Sequence, residues 1–177
     1  MSSYTIPSSL EAANWFFCRA EKDNVRLDKT KLLHLIFLAQ VHYALKNDMC
    51  YLFPAVFVTD KNGFIEPNLA QILSFGLPLM PAPKFKAEIN NFLELIWKKY
   101  FPQSNKALAD LVKSSASYSE TTCIIPLEEL ANSFNSSINP KSTNKRKILI
   151  SQNGPVMVSA WQPRKVGPKS AKESKNA

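Results

Sequence analysis

The two imidazoles, His34 and His42, are the first side chains to consider for acid–base chemistry near neutral pH. They stand eight residues apart in one apolar, helix-patterned run. Eight helical residues turn through about 800°, which leaves the two rings about 80° apart around the axis. They do not share a site unaided, and each reads as a core or half-buried structural histidine. The carboxylates offer no better pairing. Glu128 and Glu129 are adjacent and face different ways, and the other acids are scattered. No serine sits in a nucleophile elbow. Four glycines form neither a phosphate-cradling loop nor a dinucleotide fingerprint. Cys18, Cys50 and Cys123 match no metal-ligand spacing and are odd in number, so they read as reduced thiols of a cytoplasmic protein. These patterns point away from an enzyme and imply no metal and no cofactor.

Binding chemistry is better represented. Phe57 and Phe64 flank an Asn62-Gly63 turn, and aromatics beside a turn are candidates for exposed partner-facing anchors. Phe57, Asn62, Gly63 and Phe64 are therefore the predicted partner-binding residues. A second candidate is electrostatic. The residues from 141 onward hold nine Lys or Arg and one acid, Glu173, whereas the first 140 residues hold thirteen of each sign. The basic groups cluster at Lys145-Arg146-Lys147 and at Arg164-Lys165, with further lysines beyond. Lysines spaced along a tail contact phosphates without reading base sequence, so nucleic acid is a possible partner of this segment. A solvated tail, a docking segment and a secretion or targeting signal are the other readings of the same residues.

The elements that must position these groups follow from periodicity and capping. A length of 177 residues suggests one domain, and 45% hydrophobic content excludes a disordered chain. Ser8 and Ser9 can cap a first helix with Leu10, Ala13, Phe16, Phe17 and Ala20 on one face, and Trp15 off it. Asp28 caps a second, from about 29 to 46, which is apolar nearly all round and so predicted to be central and buried. The β-branched and aromatic residues around Val56, in the run from Tyr51 to Thr59, suggest a short strand, Asn62-Gly63 the turn, and Phe64-Ile65 the return. Pro67 opens a short helix closed by Gly76. Three prolines between 78 and 83 enforce an extended connector. Helices then follow over about 86–100, after Ser104, and after Pro126. A second short hairpin is predicted within 147–159, and disorder after 162.

The fold class is accordingly mainly α: a compact bundle of about five to six helices around a central buried helix, with a small β-hairpin and a basic C-terminal tail. The predicted organisation is a helical domain over 1–140 and a basic segment over 141–177. No basic leader followed by an apolar run opens the chain, and no apolar run reaches the roughly 20 residues of a bilayer span, so no membrane contact is expected.

The order of motifs carries a family resemblance over about residues 8 to 125. Asp28-Lys29-Thr30-Lys31-Leu32-Leu33-His34-Leu35-Ile36-Phe37-Leu38-Ala39-Gln40 resembles the Lys-Leu-Leu helix of Panacea-domain proteins, the SocA-like and GepA-like antitoxins. Phe53 to Phe57 and Asn62 to Pro67 stand where that family has its strand–turn segment. Phe92 to Tyr100 and Ala107 to Val112 are similar to two of its later helices. Two positions depart from the pattern. The family's Gly-Pro turn is Gly63-Phe64 here, and its Thr-His ending is replaced by Lys113-Ser114-Ser115. The resemblance implies a non-catalytic protein that binds and neutralises a cognate toxin protein. For SocA-like members it also implies delivery of the toxin to a protease complex.

Overall fold

The computed structural model describes residues 4–60, 63–76, 78–114, 124–138, 147–151 and 154–158. It divides into two compact units, Met1–Pro140 and Lys141–Ala177.

The first unit is built around one helix. Helix α1 (Ser9–Lys22) starts where the Ser8 hydroxyl accepts the Glu11 N–H at 3.2 Å. Its Ala12, Ala13, Phe16 and Ala20 are buried. Helix α2 (Lys29–Lys46) starts where an Asp28 carboxylate oxygen accepts the Lys31 N–H at 2.9 Å. Every residue from Leu32 to Val41 is buried, so α2 has no solvent face over its middle and the other helices pack around it. The predicted central helix is borne out.

Strand β1 (Phe57–Asp60) and strand β2 (Gly63–Ile65) form the expected antiparallel hairpin, with Asp60 opposite Gly63. A third strand, β3 (Ile124–Ile125), pairs with the other edge of β1, giving the order β2-β1-β3. Helix α3 (Pro67–Ile72) follows directly, shorter than the sequence suggests; Gly76 lies beyond it at φ +98°. The proline-rich connector leads to α4 (Ala87–Tyr100), whose Ile89, Phe92, Leu93, Ile96, Trp97 and Tyr100 are buried. Helix α5 (Asn105–Lys113) is capped by Ser104 and buries Leu108 and Val112. Helix α6 (Leu127–Ile138) buries Leu127, Leu130, Ala131 and Phe134. The mainly α fold with its small hairpin is thus as expected, and β3 extends that hairpin to a three-stranded sheet that the sequence does not predict.

Cross-links between distant segments are specific. Arg19 donates to both Glu94 carboxylate oxygens, at 2.7 and 3.0 Å, and also pairs with Asp23. The Arg19 guanidinium holds the Glu94 and Asp23 carboxyls below their usual range. Trp97 Nε1 donates to Asp23 at 3.1 Å, and Trp15 Nε1 to Asn90 at 2.9 Å. The off-stripe Trp15 therefore packs toward α4.

The second unit contains the antiparallel pair β4 (Lys147–Ser151) and β5 (Gly154–Val158), with Ser151 opposite Gly154. This is the second hairpin the sequence predicts. Residues after 158 lie outside the described ones, as does the expectation of disorder there.

Candidate functional site

The predicted partner-binding hairpin is an integral part of the core. Phe57 is 2% exposed and Phe64 is fully buried. The Phe64 ring stacks on Phe37 of α2 with centroids 5.0 Å apart, and Phe57 meets the same ring edge-on at 5.5 Å. Phe134 of α6 completes the cluster at 6.0 Å from Phe37. The reading of Phe57 and Phe64 as exposed anchors is therefore corrected. Removing such rings from water contributes about 1.5–3 kcal/mol each, and α2 offers an apolar surface large enough to take both. Alternation along β1 explains which face wins: Phe57 and Thr59 point inward, while Val58 and Asp60 are half-buried on the outer side.

Gly63 is buried too, and its role is steric. It sits at φ +128°, and a Cβ built there would lie 2.9 Å from Val112 Cγ1. Only glycine lets β2 pass this close to α5. Asn62, the remaining residue of the predicted site, lies outside the described residues. So do Lys145, Arg146, Arg164 and Lys165. Lys147 is the first residue of β4, opposite Val158.

The polar groups near the hairpin are held structurally. Glu66 is 2% exposed, and its carboxylate caps α3. It accepts the Asn68 N–H at 3.2 Å, the Leu69 N–H at 2.6 Å and the Ser9 hydroxyl at 3.2 Å. A buried acid is tolerable when its oxygens are saturated in this way. Beside the hairpin, a cavity of about 250 Å³ is bordered by Lys29, Thr30, His34, Asp60 and Ile65.

The two histidines are in different surroundings, as their spacing requires. His34 is buried, with its Nε2 3.7 Å from the position of a Gly63 Cβ. His42 is half-buried, and its Nε2 lies 2.5 Å from the Tyr100 hydroxyl. Burial pushes the His42 imidazole down to about 4, and the nearby Lys99 charge adds to the effect. Cys18 is half-buried and Cys50 exposed, both as free thiols; Cys123 lies outside the described residues. Among the described residues no three His, Cys, Asp or Glu side chains come together as a metal site. Nor is any helix among them long and apolar enough to cross a membrane.

A groove that the sequence barely announces lies between α2, α4 and α6. Leu95, 63% exposed on α4, was its one sequence signal, because it is a large apolar residue off that helix's buried stripe. Comparison with known proteins finds no matching family model, no matching curated protein and no matching solved structure.

Proposed function

We propose that this chain is a non-catalytic, antitoxin-like binding module that neutralises a cognate toxin protein by direct contact and can hand it to a protease complex. One observation carries the reading. Four segments that resemble the Panacea domain occur in the family's order, and they are among the segments that pack around α2 in the first unit. Those segments are α2 itself, the β1–β2 hairpin, α4 and α5; all pack on α2, and β2 also packs on α5. The departure at Gly63-Phe64 leaves the outer surface of the hairpin unchanged. Phe64 fills space against Phe37 and does not alter an exposed surface. The substitution is thus absorbed by the core.

The test is co-expression with the protein encoded beside it. Under this reading the neighbour arrests growth alone, growth recovers when this chain is present, and the two co-purify. A neighbour that is harmless, or that arrests growth equally in both cases and never co-purifies, overturns the reading.

The charge asymmetry favours a second activity in the same chain. Nine basic residues against one acid beyond residue 140 suit a segment that contacts nucleic-acid phosphates. Titration with single-stranded and duplex DNA at two salt concentrations checks this. Binding should weaken steeply with salt and disappear on truncation after Pro140. Retained binding after truncation removes the tail from the account.

A further inference from the structure

The groove between α2, α4 and α6 has a volume of about 530 Å³. Its apolar wall includes Leu45 of α2, Leu95 and Ile96 of α4, and Ile138 at the end of α6. On α4, Phe92, Leu95, Ile96 and Lys99 recur at i, i+3, i+4 and i+7, so the wall is a continuous helical stripe. Ile96 is 4% exposed, whereas Leu95 is 63% exposed, so the stripe runs from the core out to solvent. Three helices thus line a trough on the side where a further helix would complete a bundle.

The charged groups at the trough have one sign, and His42 and Asn135 are its other polar lining residues. Lys46 and Lys99 are exposed at its borders, and no carboxylate is among its described lining residues. Neither lysine takes part in an ion pair among the described residues; Lys99 Nζ lies 4.9 Å over the Tyr100 ring instead. Lys98, by contrast, pairs with Glu94. The trough therefore offers apolar contact flanked by two cations that no carboxylate among the described residues pairs with. Its walls are helices, so an extended peptide finds no strand edge to join here. An occupant must satisfy its own backbone, which a helix does.

We propose that this groove docks an acidic amphipathic helix of the partner protein, with an apolar stripe on Leu95, Ile96, Leu45 and Ile138 and carboxylates reaching Lys46 and Lys99. The inference rests on the reading of the chain as a protein-binding module and names the surface that module uses.

The experiment has two arms. In the first, the full chain is titrated with a synthetic helix bearing leucines at i, i+3, i+4 and i+7 and flanking glutamates, and methyl resonances are followed by NMR. Shifts are expected at Leu45, Leu95 and Ile138. Affinity should fall at least tenfold in Leu95→Glu and in the double variant Lys46→Glu with Lys99→Glu. A version of the helix with lysines in place of the glutamates should bind at least tenfold more weakly. Absence of groove shifts, indifference to Leu95→Glu, or equal binding of the lysine version overturns the proposal. So does self-association of the free chain through these methyls, or binding that appears only after residues 141–177 are removed. The last result would show that the chain's own tail is the occupant.

In the second arm, Leu95→Glu is tested for growth rescue and co-purification with the neighbouring protein, with its thermal melt as a folding control. Loss of both with an unchanged melt supports the groove. Full rescue by Leu95→Glu overturns the groove and leaves the antitoxin reading standing. Groove binding of the synthetic helix together with failure of the wild-type chain to rescue overturns the antitoxin reading alone.

Discussion

His42 makes folding stability depend on pH in a window where few other groups titrate. The ring packs 5.5 Å from Tyr100 and 5.6 Å from Phe134, and its pKa falls to about 4 from an unfolded value near 6.5. The folded pKa is the lower one. Between these values the unfolded chain takes up a proton that the folded chain refuses, so stability is greatest near neutrality and is lost as pH falls from about 6.5 toward 4. The full effect is at most about 3 kcal/mol, of which about 2 kcal/mol is lost by pH 5. For a chain of this size that loss moves a urea midpoint down by about 1 M. The assay is urea denaturation of wild type and His42→Gln at pH 7 and pH 5. The variant gives up the Tyr100 contact and starts lower, but it has no imidazole to protonate. Its midpoint should fall by much less than the wild-type midpoint over the same interval. Asp23, Asp28 and Glu94 are held below the usual carboxylate range, so they lose their contributions only at lower pH, and equally in both proteins. Parallel falls in the two proteins would refute the reasoning.

Gly63→Ala should destabilise by about 2–4 kcal/mol, combining backbone strain at positive φ with overpacking against Val112. Adding Val112→Ala relieves the clash and not the strain, so thermal melts of the double variant should be better than additive for the two single changes. Glu66→Ala removes the cap of α3 and leaves buried N–H groups without an acceptor. A loss of about 1–3 kcal/mol is expected by urea denaturation, with faster amide exchange at Asn68 and Leu69.

The helices were legible because their starts are local. Ser8, Asp28 and Ser104 each bond an N–H three residues on, so residue identity alone marks the start. The all-round apolar pattern of α2 likewise announced a central helix. The inward turn of Phe57 and Phe64 was carried by a weaker signal. Asp60 points away from the core, and strict alternation from it places Phe57 inside; cross-strand register then places Phe64 beside Thr59. Aromatic character beside a turn outweighed that alternation and gave the wrong face. Strand β3 was not legible at all. Two residues carry no periodicity, and Ile124-Ile125 is a strand only because β1 is there to pair with it. The groove escaped for a related reason, since it is made by three helices distant in sequence and only Leu95 hinted at it.

That short strand has a consequence for the order of folding. Phe57 pairs with Ile125, so the middle strand of the sheet waits for a partner that arrives after α3, α4 and α5 have been laid down. Closing so long a loop costs entropy that the local hairpin does not, and such contacts tend to form late. On the ribosome, the second edge of β1 stays bare until residue 125 emerges. Ile125→Val should therefore speed unfolding while leaving the refolding rate nearly unchanged, a pattern that stopped-flow kinetics would reveal.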